Sequence, residues 1–299
     1  MKPVYLESAQ NGYLAQTITV LDQVLEQCCL CPRMCGVNRK NGETGICQTG
    51  NNAIVASFAP HFGEEPCISG RRGSGTIFFS GCSLMCSFCQ NYDISHTTDG
   101  HEAEPGHIAS IMLHLKDQGC HNINFVTPTH VLPQILEGLA IAVENGLDIP
   151  LVYNTSGFER VEILQHLEGI IDIYMPDFKF WNPEHAKDTC DAPEYPERVK
   201  KAVIEMHRQV GDLLTDETGI ALSGLLVRHL VMPDNFSGTP QVLKFLKEKV
   251  SPATHVNVMS QYRPMGEVYN HAVINRPLSV DEFRASVDLT RDLGLNLVR

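Results

Sequence analysis

Three cysteines on one short loop, Cys82, Cys86 and Cys89, have the spacing C-x3-C-x2-C. An apolar run at residues 76–80 leads directly into this loop and is predicted to be a buried β-strand. Most cysteine-ligated metal centres use four thiolates. Three thiolates on one loop therefore suit a cubane iron–sulfur cluster in which one iron stays open to bind another molecule.

The spacing separates this interpretation from the alternatives. Structural zinc takes a fourth protein ligand, and the nearest candidate, His96, does not stand at a zinc-knuckle spacing. A ferredoxin-type cluster also uses four cysteines. Three buried thiols without a metal would be a rare coincidence at the end of a strand, so we interpret the loop as metal-binding.

A second group of cysteines precedes this loop. Cys28, Cys31, Cys35 and Cys47 supply four thiolates within twenty residues, and glycines between the last two allow tight turns around sulfur. We expect a second metal centre here. Zinc and a second iron–sulfur cluster are equally open, and so are a structural role and an auxiliary role in electron transfer.

Composition excludes several classes of protein. The chain of 299 residues has no apolar run long enough to cross a bilayer and begins without the apolar segment of a secretory signal, so we expect a cytoplasmic protein with no membrane partner. Eleven cysteines, an odd number in clusters, favour metal ligation in a reducing compartment over disulfides. The net charge of −12 argues against nucleic acid as the main partner.

The remaining pattern predicts an α/β fold. Strands are expected at 76–80, 122–127, 150–153, 171–175, 225–231 and 255–259, and helices near 107–118, 130–145, 159–168, 196–213, 239–249 and 279–292. Six βα units of this kind imply a parallel sheet with helical crossovers. We divide the chain into residues 1–70, an N-terminal helix with a Cys-rich metal-binding subdomain, and residues 71–299, a barrel with a C-terminal helix, joined by a turn-rich linker at 63–75.

Polar side chains follow the predicted strands, where ligand sites of parallel sheets lie. Thr127 follows the second strand, and Asn154 and Ser156 follow the third. Asp177 and Lys179 follow the fourth strand and alternate, so that both project from the same side of an extended chain. Burying this carboxylate and ammonium is costly unless they bind each other or a ligand. An exposed ion pair is the alternative.

The last two strands add two candidates. Arg228 lies inside an apolar run, where an unpaired guanidinium is too costly to bury, so it is expected to point into the lumen. The neighbouring His229 then faces the opposite way and is interpreted as structural. Gln261 follows the sixth strand and is expected near the substrate side.

The cysteine spacing, with Phe88 directly before the third cysteine, resembles the signature of the radical S-adenosylmethionine (SAM) enzymes. The resemblance implies a partial (β/α)6 radical SAM barrel and a [4Fe-4S] cluster held by Cys82, Cys86 and Cys89. In that family the open iron binds the amino and carboxylate groups of SAM. One electron from the cluster breaks the sulfonium bond, which yields methionine and a 5′-deoxyadenosyl radical that abstracts hydrogen.

Residues 29–35, 152–158 and 172–179, and the Cys-Gln-Asn run at 89–91, resemble an uncharacterised branch related to pyruvate formate-lyase activating enzymes. This resemblance implies that Lys179 pairs with the SAM carboxylate, and that Asp177, Asn154, Thr155 and the Met175 carbonyl can hold a monovalent cation. Arg228, expected from its place in the apolar strand to point toward SAM or the cluster edge, is the second expected catalytic residue beside Lys179. The residues expected to contact SAM are Phe88, Thr127, Asn154, Ser156, Asp177, Lys179, Arg228 and Gln261. Thr127 stands where many members carry a Gly-Gly-Glu-type motif, which is a departure from the family pattern.

The expected activity is reductive SAM cleavage by an oxidoreductase of this family. Activation of a glycyl radical enzyme is the leading specific function, with that enzyme as protein substrate and an electron donor such as flavodoxin or ferredoxin as partner. Radical modification of a small molecule, a peptide or RNA is a second hypothesis. A non-catalytic iron–sulfur or zinc protein is a third, and the three-cysteine spacing argues against it.

Overall fold

The predicted α/β fold is present in the computed structural model, which describes residues 2–298. The strands are β1 (Ala53–His61), β2 (Ser74–Phe79), β3 (His101–Ala103), β4 (Ile123–Val126), β5 (Leu151–Thr155), β6 (Ile173–Pro176), β7 (Leu214–Thr215), β8 (Ala221–Leu230), β9 (His255–Met259) and β10 (Asn296–Leu297). The helices are α1 (Tyr5–Gln10), α2 (Tyr13–Gln23), α3 (Pro66–Ser69), α4 (Tyr92–Ser95), α5 (Pro105–Asp117), α6 (Leu132–Glu144), α7 (Val161–Leu164), α8 (Pro183–Cys190), α9 (Tyr195–Val210), α10 (Thr239–Phe245) and α11 (Val280–Asp292).

All strands belong to one sheet with the order β10-β9-β8-β6-β5-β4-β2-β1-β3, and β7 pairs with β8. The six predicted strands, β2, β4, β5, β6, β8 and β9, are parallel neighbours. β1 runs antiparallel to β2, and the sheet does not close between its two edges. The architecture is therefore a partial barrel, with the carboxyl ends of the parallel strands at one mouth.

The segment predicted to be a linker, residues 63–75, has regular structure of its own. It contains α3 and the beginning of β2, and Ile68 on α3 is fully buried. Ile68 packs inside the barrel against side chains of three strands, namely Val152, Ile173, Met175 and Leu226. The glycines and prolines of this segment predict turns, and turns are present. Between these turns, the apolar side chain of Ile68 anchors the segment in the lumen.

The N-terminal helices pack against the barrel. The hydroxyl of Tyr5 donates to the carbonyl of Ile149 at 2.9 Å, and the N–H of Val4 donates to Asp172 Oδ1 at 2.8 Å. Residues on both sides of position 70 share one hydrophobic core. The Cys-rich segment between α2 and β1 is therefore held at both ends by elements that pack on the barrel. Among residues 2–298, no helix combines the length and apolar composition that crossing a bilayer requires.

A buried carboxyl joins the turns that follow β4 and β5. Glu159 is fully buried, and its Oε1 accepts hydrogen bonds from the hydroxyls of Thr129, at 2.5 Å, and Thr155. Burial raises the pKa of Glu159 from 4.5 to about 7, although the two hydroxyls act in the opposite direction. Through these hydrogen bonds the Glu159 carboxyl links the ends of β4 and β5, which contribute residues to the site described below.

We expect Glu159→Gln to change how stability depends on pH. A raised pKa in the folded state means that the proton stabilises the fold, and this contribution is lost as pH rises from 4.5 to about 7. Relative to Glu159→Gln, the wild type should therefore lose stability across that window and remain level above it. Urea unfolding midpoints at pH 5, 6, 7 and 8 measure the difference, and parallel curves for the two proteins would contradict it.

Candidate functional site

One cavity of about 760 Å³ lies at the carboxyl ends of the parallel strands. The predicted site residues that line it are Cys82, Cys86, Phe88, Cys89, Thr127, Asn154, Ser156, Asp177, Lys179, Arg228 and Gln261. Every residue predicted to bind the cluster or SAM is therefore brought to one place. They reach it because parallel strands end at a common edge of the sheet.

The loop that follows β2 presents sulfur to this cavity. Cys82 and Cys86 are buried, and Cys89 is partly buried. The backbone N–H of Leu84 donates to Cys82 Sγ at 3.4 Å, and the left-handed φ of +56° at Met85 turns the chain between the first two cysteines. Backbone N–H groups directed at sulfur are a known way in which proteins tune iron–sulfur clusters. The loop therefore fits a cluster ligand set.

Burial also affects the thiols. It raises the pKa of the Cys82 thiol to about 12, with a smaller contribution from the neighbouring Cys86. A thiol in this environment is neutral unless a metal supplies positive charge, since metal ligation requires the thiolate. Donor type, backbone N–H contact and burial thus all suit a metal centre at this loop.

A fourth thiol touches this loop. Cys190 is buried, and it ends α8 beside Cys86. The hydrogen bond with the Cys190 thiol, together with burial, raises the pKa of Cys86. Sequence reasoning did not place Cys190 here because it did not predict α8. The cap of that helix was a usable signal, since Asn182 accepts from the N–H of Glu184 and a proline follows it.

Phe88 both lines the cavity and belongs to the core. Its ring packs edge-to-face on Phe180, with centroids 5.7 Å apart, and lies at a tilt to Tyr262 at 6.2 Å. Tyr262 is buried and donates its hydroxyl to the carbonyl of Ile274 at 2.6 Å. The carbonyl of Gln261 accepts from Gln90 Nε2 at 3.0 Å, so this residue is tied to the cysteine loop.

A network of charges crosses the cavity. Lys179 Nζ lies 2.6 Å from Asp177 Oδ2, and Arg228 Nε lies 2.9 Å from Asp177 Oδ1. Arg228 also donates to Asn154 Oδ1 at 2.6 Å and to Glu64 Oε2 at 3.2 Å. The side chains of Asp177 and Lys179 are only 14% and 15% exposed, which excludes the exposed ion pair considered as the alternative.

The charges in this network support each other. Burial alone would raise the pKa of Asp177, but the cations of Arg228 and Lys179 outweigh it and hold that pKa below its ordinary value. Burial likewise opposes the charge of Lys179, and the Asp177 carboxylate overcomes it and raises the pKa of Lys179. Both groups are therefore charged at neutral pH.

Arg228 bonds to two of the four groups that the resemblance assigns to a monovalent cation. Asp177 and Asn154 both accept hydrogen bonds from its guanidinium, and the Thr155 hydroxyl donates to Glu159. Met175, whose carbonyl is the remaining candidate, is fully buried. In this structure the positive charge between the ends of β5 and β6 is that of an arginine side chain.

Thr127 adopts a strained backbone conformation at the end of β4. Its φ is +58°, in the left-handed region that β-branched residues rarely adopt. Its N–H donates to the carbonyl of Asn154 at 2.9 Å, and the residue lines the cavity. Strain of this kind is concentrated at functional sites, where the surrounding structure maintains it.

The N-terminal cysteines form a second group outside this cavity. Cys28, Cys31, Cys35 and Cys47 line one small cavity of about 10 Å³. A Cβ at Gly45 would lie 2.7 Å from Cys35 Sγ, so only glycine fits beside this sulfur. Within residues 2–298, no three Cys, His, Asp or Glu side chains are placed to hold a single metal ion. That finding does not test a cubane, in which each thiolate binds a different iron.

The two cysteine loops are in direct contact. Gly81 precedes the first cluster cysteine with a φ of +81°, and a Cβ there would overlap the carbonyl oxygen of Cys47. The buried His130 bonds through Nε2 to the carbonyl of Ser80 at 2.8 Å and also lines the N-terminal cavity. Arg33 donates to four carbonyls of the barrel side, those of Ser83, Leu84, Cys190 and Asp191. Sequence reasoning did not identify these contacts.

Comparison with known proteins agrees with this geometry. The sequence model of the radical SAM superfamily matches residues 76–222, which include the cysteine loop and Lys179 but neither Arg228 nor the N-terminal cysteines. An uncharacterised protein of Methanocaldococcus jannaschii is 32% identical over 303 residues, an alignment that covers 98% of this chain and 82% of that protein. The chain belongs to the radical SAM superfamily.

Proposed function

We propose that this chain is a radical SAM enzyme whose [4Fe-4S] cluster is held by Cys82, Cys86 and Cys89. The observation that carries the proposal is the single cavity shared by these thiols and all the polar residues predicted from the strand ends. When bound, the cluster and SAM supply one-electron cleavage of the sulfonium bond and a carbon-centred radical for hydrogen abstraction. The protein's own contribution is to bind, orient and enclose these groups.

We assign the binding roles from the contacts. The Lys179 ammonium suits the carboxylate of SAM, since Asp177 keeps it charged and directs it. Arg228 holds Asp177 and Asn154 in place, and Thr127 offers a hydroxyl and strained backbone to the amino group. Phe88 offers a ring face for the adenine, and Asn154, Ser156 and Gln261 offer polar groups around the remaining parts of the cofactor. A separate monovalent cation is not part of the proposal, because Arg228 already supplies its charge.

The next prediction concerns the reaction itself. Anaerobically reconstituted protein with dithionite should convert SAM into 5′-deoxyadenosine, and Cys86→Ala should abolish this activity because it removes a cluster ligand. Cys120→Ala is the matched control, since Cys120 is a buried thiol that does not line either cavity. Product formation in Cys86→Ala equal to that of the wild type would contradict the assignment.

Loss of Lys179 should weaken SAM binding, whereas loss of Arg228 should lower the stability of the protein. Lys179→Met leaves Asp177 bonded to Arg228, so we expect little change in stability and a roughly 10- to 100-fold weaker SAM affinity, the worth of one charged hydrogen bond. Arg228→Met leaves Asp177 and Glu64 without that cation and should destabilise the protein by about 3–5 kcal/mol.

Equilibrium SAM binding and urea unfolding measure the two effects. Lys244→Met, on an exposed helix surface, is the control for loss of a lysine and should change neither. If Lys179→Met binds SAM as tightly as the wild type does, the carboxylate contact is wrong.

We further propose that residues 1–70 carry a second [4Fe-4S] cluster, not zinc, on Cys28, Cys31, Cys35 and Cys47. Both C-x3-C loops turn through a methionine in the left-handed region, Met34 with φ +45° and Met85 with φ +56°. A shared turn between equally spaced cysteines supports a shared kind of ligation. The direct contact between the loops also suits transfer of electrons from a donor such as flavodoxin or ferredoxin in the cytoplasm.

Metal analysis tests the second centre. The wild type should hold about eight irons and the triple variant Cys82→Ala/Cys86→Ala/Cys89→Ala about four, since each cubane contains four. Sulfide should follow iron in both proteins, and zinc should be absent from both. A triple variant that retains one zinc and no iron would show that the N-terminal centre is a zinc site.

Activation of a glycyl radical enzyme is the finer function that we favour. Its support is that both stretches that resemble the activating enzymes contribute to the cavity lining, 152–158 through residues 154–156, and 172–179 through Asp177 and Lys179. A small molecule or a peptide is the alternative substrate class. The SAM-cleavage assay separates them when a candidate glycyl radical protein carries deuterated glycine, because only direct hydrogen abstraction transfers deuterium to 5′-deoxyadenosine.

A further inference from the structure

Arg39 is a buried cation that has no anionic partner among residues 2–298. Its side chain is 1% exposed and is the largest of the fully buried side chains in the described part of the chain. It lines the small cavity of the N-terminal cysteines, Cys28, Cys31, Cys35 and Cys47. The position of this charge beside four thiols is the observation that needs a physical explanation.

Carbonyl groups hold the guanidinium of Arg39 in place. Its Nε donates to the carbonyl of Gly50 at 2.8 Å, and its Nη1 donates to the carbonyl of His130 at 2.6 Å. Its Nη2 is buried and finds no acceptor among the described residues. Carbonyl dipoles meet part of the hydrogen-bonding capacity of a guanidinium, but they do not neutralise its charge.

The acidic side chains near Arg39 in the sequence have other partners. Asp22 and Glu26 lie 2.6 Å and 3.7 Å from Lys40 Nζ. Glu43 accepts a hydrogen bond from a backbone N–H at 2.7 Å. A buried charge is strongly destabilising unless an opposite charge compensates it. The compensating anion for Arg39 therefore has to come from the cysteine cavity itself.

A metal centre in this cavity supplies that anion. Metal ligation converts the four thiols into thiolates, so either a [4Fe-4S] core or a zinc ion leaves a net charge of about −2. His130 lines the same cavity and is neutral at neutral pH, because burial, with a smaller contribution from the charge of Arg39, lowers its pKa to about 4. Arg33 also lines the cavity, but it is partly exposed and water screens its charge.

We propose that Arg39 is the counter-charge of the N-terminal centre, where it stabilises the anionic cluster and raises its reduction potential. The inference rests on the proposed second [4Fe-4S] cluster. Reduction adds one electron to the cluster and thus one negative charge, and a fixed cation beside the cluster favours the reduced state. No molecule from solution has to reach the buried Nη2, because the charge acts across the cavity wall without contact.

Two variants of Arg39 separate its charge from its hydrogen bonds. Arg39→Lys keeps the positive charge, and Arg39→Gln keeps a hydrogen-bond donor without the charge. Both are made in the full chain that carries Cys82→Ala/Cys86→Ala/Cys89→Ala, so that the N-terminal cluster gives the whole iron–sulfur signal. A redox titration followed by EPR of the reduced cluster measures the ratio of reduced to oxidised cluster at a fixed potential.

At a given potential, this ratio should be at least about tenfold lower in Arg39→Gln than in Arg39→Lys, a difference of about 59 mV for one electron. Lys40→Met is the matched control, since Lys40 is the next residue in the chain but is exposed and pairs with Asp22. Its ratio should stay within about twofold of that of the parent protein, because solvent screens an exposed charge.

Equal potentials in Arg39→Lys and Arg39→Gln overturn the proposal. If Arg39→Gln does not retain iron, the iron content decides instead. Loss of iron from Arg39→Gln alone supports the counter-charge. Loss of iron from both variants, or unfolding of both in the metal-free state as measured by circular dichroism, assigns Arg39 a purely structural role and overturns it.

Metal analysis of the same preparations separates this inference from the proposed cluster. Zinc in place of iron removes the proposed iron–sulfur centre, and the counter-charge is then tested through the affinity for zinc in competition with a chelator. That affinity should be at least about tenfold weaker in Arg39→Gln than in Arg39→Lys. Equal zinc affinities overturn the counter-charge, and a parent protein that binds neither metal removes both proposals.

Discussion

The buried guanidinium of Arg228 is the interaction on which the site depends. A guanidinium that is 17% exposed must be paired, because its desolvation is otherwise too costly. Its partners come from three separate parts of the chain, Glu64 before the barrel, Asn154 on β5 and Asp177 after β6. The network is therefore complete only when the N-terminal segment and the strand ends have all reached their native positions. Formation of the cavity is in this way coupled to formation of the whole fold.

The same coupling appears on the other side of the cluster loop. The loop from Gly81 to Cys89 rests on the Cys47 carbonyl, and Arg33 binds the carbonyls of Ser83 and Leu84. Residues that lie outside the superfamily match thus set the position of the cysteines that define the superfamily. An N-terminal centre at this place would stabilise the loop that supports Arg33, so its occupancy would affect the geometry of the catalytic cluster as well as any electron transfer.

Much of the fold and part of the site follow from the sequence for a physical reason. Strands covered on both faces are continuous apolar runs, as β6 is. β9 alternates valines with His255 and Asn257 and was still predicted with the bounds that it has, His255–Met259. Parallel strands end at one edge of the sheet. The sequence therefore predicts that polar residues at the strand ends lie close together, although it gives no distances between them. The contacts that could not be predicted are those between residues far apart in the chain. Glu64 meets Arg228 only because α3 enters the lumen, and one fully buried apolar side chain, that of Ile68, gives no periodic signal.

Thr127 stands where many family members carry a Gly-Gly-Glu-type motif. The positions of the buried carboxyl groups explain this departure from the family pattern. Glu159 lies behind the ends of β4 and β5, where it bonds the hydroxyls of Thr129 and Thr155 and leaves the wall at Thr127 without a carboxylate. Two other carboxyl groups, those of Glu64 and Glu65, line the cavity from the segment before β2. A neutral Thr127 can contact an amino group through hydroxyl and backbone oxygens, whose strength falls short of a charged pair. If Lys179 binds the SAM carboxylate, as we propose, the carboxylate of the cofactor therefore has a charged partner and its amino group has only neutral ones.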